Sequence, residues 1–239
     1  SEEDYRARPE YTDPEILRTN LAAVILQAAT IGIDNLSEFP FIQPPDARGI
    51  KDGLGLLSEL GALEVAEGNA VLLTPLGKQL SKLPIEPRFG RMLLEAKKHS
   101  VIREVLVIVA GLTIQDPRER PLEKREQANL LHARFNDPKS DFLTLVNLWN
   151  HLEDQQRKHS STQFRKLCKK EFLNYLRIRE WQDLVRQLTQ IIKPLGLEVG
   201  GPKVNPAGIH KSLLAGLLSQ LGLRQEAKKI PGKKPRPSR

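Results

Sequence analysis

The stretch "LEVAEGNAVLLTPLGKQLSKLP", residues 63–84, sets the character of the fold. Two short runs of Leu and Val flank Gly68-Asn69, a turn pair, so the segment predicts a β-hairpin. Thr74 and Pro75 then stand where an N-cap and a first-turn proline belong, and a helix restarts at once. Upstream, "TDPEILRTNLAAVILQAATIG" predicts a helix capped by Thr12, with Pro14 in its first turn and Glu15 completing a capping box. Leu17, Leu21, Val24, Ile25 and Ala28 recur at helical spacing and give it one buried face. After the proline-rich break "FPFIQPPDARG", the segment "GIKDGLGLLSELGAL" predicts a second helix ending near Gly61. Helix, helix, hairpin and returning helix outline a winged helix.

From Pro87 onward no further strand is expected. "RFGRMLLEAKKH", "VIREVLVIVAGLTI", "REQANLLHARF", "SDFLTLVNLWNHLEDQQRKH", "STQFRKLCKKEFLNYLRIREWQDLVRQLTQIIKPLG" and "NPAGIHKSLLAGLLSQLG" read as helices, most with an apolar stripe. "GLEVGGPKVNP" is a Gly/Pro corner before the last of them. The expected class is mainly α, a winged-helix domain with a small β-hairpin followed by a helical bundle.

Composition narrows the function. A chain of 239 residues with 39% hydrophobic content and mean hydropathy −0.39 can bury a real core. No apolar run approaches the roughly 18 to 20 residues that span a bilayer, and the acidic start Ser-Glu-Glu-Asp does not resemble a secretory signal. The single cysteine, Cys168, allows neither an internal disulfide nor a cysteine zinc cluster, and a reducing cytoplasm is the expected location. Of the net +8, six charges belong to Lys228, Lys229, Lys233, Lys234, Arg236 and Arg239, which leaves +2 for the rest. The body is not globally basic, so any nucleic-acid site must be a local patch. The segment after Leu223 has too little apolar content to fold alone.

Catalytic signatures are missing. No phosphate-cradling Gly-x-x-x-x-Gly-Lys-Ser/Thr is present, since Gly77-Lys78 is followed by Gln79, and neither Gly-x-Gly-x-x-Gly nor Gly-x-Ser-x-Gly occurs. His99, His132, His151, His159 and His210 stand singly, so no metal site is expected. Cys168, flanked by Phe164 and Phe172 at four-residue spacing, reads as core.

One region concentrates charge. Residues 157–179 carry eight cations (Arg157, Lys158, Arg165, Lys166, Lys169, Lys170, Arg177, Arg179) against one acid, Glu171. Phe164, Phe172 and Tyr175 are interleaved, with Trp181 just beyond, a pattern that suits single-stranded nucleic acid and equally a solvated helix face. On a continuous helix, Lys170, Asn174, Arg177 and Trp181 would line up beside a stripe of Leu173, Leu176, Leu184 and Leu188. Asn174 and Arg177 would then border the buried side, where polar groups need partners: protein carbonyls or a threaded phosphate backbone.

Several long segments resemble a known family. "RPEYTDPEILRTNLAAVILQ", "FPFIQPPD", "LLSELGAL", "LTPLGKQLSKLPIEPRFGRMLLEA", "TIQDPRERP", "FNDPKSDFLTLVNLW" and "FLNYLRIREWQDL" are similar to the helicase-associated region of bacterial HrpA-type DEAH-box RNA helicases, nearly unbroken to about Leu223. The resemblance implies a non-catalytic accessory module of an ATP-dependent helicase that moves 3′ to 5′ on single-stranded RNA. Residues 1–11 would be the exit from a RecA-like domain, 12–80 the winged helix, 81–224 a helical ratchet-like domain, and 225–239 a basic disordered tail where an OB-fold should begin. ATP and magnesium would bind to RecA-like domains outside this segment, which itself takes no cofactor. The implied partners are single-stranded RNA or ribonucleoprotein and the RecA-like and OB-fold domains of the same full-length chain, with no membrane. In "LTIQDPRERPLEK", residues 112–124, Asp116-Pro117 would end an apolar helix. Arg118 and Arg120 would pair with carboxylates or meet RNA. The RNA-binding candidates are therefore Lys170, Asn174, Arg177, Trp181, Arg118, Arg120, Arg165 and Lys169. A free-standing winged-helix DNA reader or protein-interaction module is the alternative, weakened by a reading helix with only Arg48 and Lys51 against two acids.

Overall fold

The computed structural model describes residues 21–33, 35–65 and 71–222. The expected cap at Thr12, the 1–11 segment, the Gly68–Asn69 turn and the 225–239 segment lie outside the described residues. Helix α1 (Ala22–Thr30) packs against α2 (Ala47–Glu59), whose Asp46 cap accepts from Gly49 N at 2.8 Å. Strands β1 (Leu63–Val65) and β2 (Val71–Leu73) pair antiparallel, with Leu63 opposite Leu73.

Thr74 welds this sheet to α3 (Pro75–Leu80). Its hydroxyl accepts from Gly77 N at 3.0 Å, the expected cap, and donates to Gly61 O at 2.7 Å. Gly77 is required by close approach: a Cβ there would sit 2.1 Å from the Ala62 carbonyl oxygen.

The remaining helices are α4 (Pro87–His99), α5 (Ile102–Thr113), α6 (Arg125–Ala133), α7 (Asp141–Lys158), α8 (Ser161–Lys170), α9 (Tyr175–Ile192) and α10 (Pro206–Leu214). α5 is the axle. It packs on α4, α7, α9 and α10, and Glu104 through Ala110 are all buried. A helix apolar on every side belongs in the middle of a bundle. Ser140 and Ser160 cap α7 and α8, the latter in a full capping box with Gln163.

Two expectations need correction. The long helix expected from Ser161 onward is broken. α8 ends at Lys170, Phe172 takes a left-handed backbone (φ 54°), and Asn174 caps a new helix, α9. The segment from Asn205 also stops early, at Leu214, because Gly216 passes against α4, where a Cβ would meet Arg88 O at 2.5 Å.

Candidate nucleic-acid interface

The break at residues 171–174 creates the site. Asp116-Pro117 turns the chain after α5, and the resulting corner is laced to the α8–α9 elbow by backbone bonds. Glu119 N donates to Phe172 O at 2.8 Å and Asn174 N to Pro117 O at 2.7 Å, with Arg118 and Leu173 bridged antiparallel. Side chains repeat the connection. Asn174 accepts from Arg177 N at 3.1 Å, capping α9, and its Nδ2 donates to Glu119 Oε1 at 2.7 Å. Arg177 Nη1 donates to Asp116 O at 2.9 Å.

Asp116 closes the corner on itself. Its carboxylate accepts from Arg118 N (2.8 Å), Nε (3.0 Å) and Nη2 (2.8 Å). Burial would raise its carboxyl, but these bonds outweigh it and hold Asp116 below the ordinary carboxylate value. Arg120 donates to Asn129 Oδ1 at 3.0 Å. Arg118 and Arg120 line a separate cleft of about 710 Å³ toward Asp137 and Asp141 of the α7 start.

The one acid of the basic segment is consumed internally. Glu171 is buried, and its carboxylate meets Arg134 Nη2 at 2.5 Å and His151 Nε2 at 3.0 Å. Burial pushes its carboxyl up, while His151 and Arg134 pull it lower, and the balance lies below the usual value. His132 donates Nε2–H to the Glu171 carbonyl at 2.9 Å, and burial lowers the basicity of that imidazole. Burial also drives the Cys168 thiol up to about 11, so it is an inert core group, as expected.

What remains outside is cationic. Arg165, Lys166, Lys169 and Lys170 are exposed on α8 and form no ion pair among the described residues. The first three border a cleft of about 950 Å³ whose floor includes Phe172, Leu173 and Tyr175 and whose far wall is the 3₁₀ turn Leu122–Lys124. The Arg165 guanidinium lies over the Tyr175 ring, 5.8 Å from its centroid. Leu122 and Leu176 stand at the cleft edges 91% and 75% exposed.

Residues 86–145 match the model of the helicase associated domain (HA2), ratchet-like. The chain is 52% identical over 229 residues to the ATP-dependent RNA helicase HrpA of Escherichia coli K12, spanning 95% of this chain and 18% of that protein. It is 50% identical over 231 residues to the HrpA homolog of Haemophilus influenzae, again 95% and 18%. It is 35% identical over 196 residues to the DExH-box ATP-dependent RNA helicase DExH3 of Arabidopsis thaliana, covering 81% of this chain and 16% of that one. This chain carries a helicase-associated domain of the HrpA-type DEAH-box RNA helicases.

The part of this helicase-associated domain matched by the family model runs from α4 through the Asp116-Pro117 corner into α7. The sequence candidates fall into separate places around it. Arg165, Lys169 and Asn174 meet at the large cleft. Arg118 and Arg120 face the smaller one, and Lys170 is exposed at the end of α8. Arg177 clamps the corner. Trp181 does not share that surface: it is fully buried, donates Nε1–H to Val107 O at 2.9 Å, and meets Trp149 edge-on at 5.0 Å. Leu176, placed on the buried stripe by a continuous-helix reading, is exposed instead. Sequence reasoning missed Leu122 and Lys124 in the far wall, and Glu119 as the partner of Asn174; they lie well before the basic run, Glu119 fifty-five residues from Asn174, and no local pattern connects them. Among the described residues, no helix is long and apolar enough to cross a membrane, and no cluster of three metal-ligating groups occurs.

Proposed function

We propose that this segment is a non-catalytic accessory module of an ATP-dependent RNA helicase, walling a channel for single-stranded RNA and coupling it to motor domains elsewhere in the full-length protein. The chain spans 18% of the length of each HrpA relative, so RecA-like and OB-fold partners, and the ATP and magnesium the motor would hold, belong to the remainder. Residues 12–80 act as a winged-helix adaptor and 81–224 as the ratchet. A cytoplasmic location accords with this role.

One observation carries the reading: Arg165, Lys166 and Lys169, exposed on α8 and without an ion pair among the described residues, border an aromatic-floored cleft. Closely spaced cations release counterions from a phosphate backbone, and aromatic faces accept unstacked bases without regard to sequence. Arg165, Lys166, Lys169 and Lys170 hold the backbone. The laced corner of Asp116, Arg118, Asn174 and Arg177 keeps the elbow rigid beneath it, and Arg120 extends the positive edge.

The test is a gel shift of the chain with single-stranded RNA against duplex DNA of equal length, run beside an ATPase assay. Preference for single-stranded RNA without ATP turnover is expected. Preference for duplex DNA would favour a DNA-reading winged helix, and turnover abolished by mutation within this chain would overturn the accessory role.

A further inference from the structure

The cleft between α8 and the Leu122–Lys124 turn has two unlike walls. One carries the cations Arg165, Lys166 and Lys169, and the other carries two carboxylates, Glu119 and Glu123. Neither carboxylate is neutralised. Glu119 is half-buried and accepts at Oε1 from the uncharged Asn174 amide, at 2.7 Å, which leaves Oε2 without a partner among the described residues. Glu123 is exposed, and its carboxylate forms neither a hydrogen bond nor an ion pair among those residues. Lys124 stands beside them and pairs with neither.

Carboxylates in a cleft for a polyanion repel its backbone, so they suit only the parts of RNA that donate hydrogen bonds. With the phosphates on α8 and a base on the floor of Phe172 and Tyr175, the outer edge of that base is directed at the far wall. The four bases differ at that edge. Uracil offers one N–H between two carbonyl oxygens, which a carboxylate repels. Adenine and cytosine each offer one amino group beside an acceptor nitrogen. Guanine alone offers two adjacent donors, N1–H and the 2-amino group, spaced like the two oxygens of a carboxylate. The Asn174 bond fixes the direction of Glu119 before any ligand arrives, so little ordering is lost on binding. Given the reading of this cleft as the single-stranded RNA site, on which this step rests, we propose that Glu119 and Glu123 make it selective for guanine, held by its N1–H and 2-amino edge.

Fluorescence anisotropy with three single strands tests this: an oligouridine, the same strand with one central guanosine, and that strand with inosine in the guanosine position. Inosine lacks only the 2-amino group. The guanosine strand is expected to bind about tenfold tighter than oligouridine, the discrimination of one good bidentate pair, and inosine should lose most of that gain. Glu119→Gln keeps an oxygen for Asn174 and turns an amide donor toward the base, while Glu123→Gln alters an exposed turn whose carboxylate anchors nothing. Each should cut the guanosine preference by roughly threefold or more, with oligouridine affinity unchanged or higher because a negative charge has left the cleft. Equal affinity for the guanosine and uridine strands, a full gain with inosine, or a preference intact in both variants would overturn the proposal while leaving RNA binding itself in place. A wild-type chain that binds none of the three strands would overturn the RNA reading of the cleft and this proposal with it.

Discussion

Asn174 donates from its side-chain amide to the Glu119 carboxylate at 2.7 Å across fifty-five residues of sequence, while its carbonyl oxygen caps α9. One side chain therefore starts a helix and ties it to the corner that ends another. Asn174→Ala removes both functions, a cap worth about 1 kcal/mol and a charge-assisted hydrogen bond of similar size. The expected loss is about 2 kcal/mol, or roughly 4 to 8 °C in Tm for a chain of this size. Asn174→Asp keeps the cap but sets two carboxylates together, so calorimetry should find it destabilised as well. A wild-type Tm in both variants would show the tie to be idle.

Arg177→Ala separates a clamp from an ion pair. Its guanidinium donates to the Asp116 carbonyl and forms no ion pair among the described residues, so no carboxylate is stranded when it goes. The expected cost is about 1 kcal/mol. A loss of roughly 3 to 5 kcal/mol in a denaturant melt would mean an uncompensated buried charge, contrary to this geometry.

Much of the fold was legible because caps and period agree locally. Thr74 with Pro75 announces its helix, and apolar periodicity announces the bundle, while the caps Ser140 and Ser160 and the all-round burial of α5 show only in the fold. The elbow was not legible. Glu171-Phe172-Leu173 contains neither Gly nor Pro, and a bulky residue at φ 54° is imposed by tertiary bonds from Pro117 and Glu119, which local propensity does not encode. Once the helix breaks there, Lys170 leaves the line of Arg177, and Leu176 turns to solvent. The basic patch was visible as composition; its aromatic floor and far wall required the fold.

Two glycine substitutions should move stability in opposite directions. Both Gly55 and Gly111 are helical, and alanine gains up to about 1 kcal/mol there from backbone propensity alone. At Gly55 nothing lies within 4 Å of the added methyl, so Gly55→Ala should stabilise. At Gly111 the methyl meets the buried Trp181 ring at 3.0 Å, with Trp149 behind it, and overpacking costs about 1 to 3 kcal/mol. Thermal melts of the pair decide the matter, and a stabilised Gly111→Ala would show the Trp181 contact to be soft.

Acid sensitivity should trace to Glu171. Its folded carboxyl lies below the ordinary value, so it contributes stability above the unfolded pKa of about 4.3, lost as pH falls through the lower folded value. Glu171→Gln should cost about 2 kcal/mol near pH 7, and the gap to wild type should close toward pH 3. Urea melts across that range check it; a gap independent of pH would separate Glu171 from the acid limb.

The central claim is that the α8 cations hold single-stranded RNA. The most direct measurement is the salt dependence of RNA affinity, by fluorescence anisotropy, for wild type and Lys166→Ala/Lys169→Ala. Each phosphate contact contributes about 0.7 to the slope of log K against log salt on a single strand, so the double variant should lose about 1.4. The matched control Lys97→Ala/Lys98→Ala, on α4, should leave the slope unchanged. Equal slopes in all three proteins, or no binding of single-stranded RNA by wild type, would contradict the account.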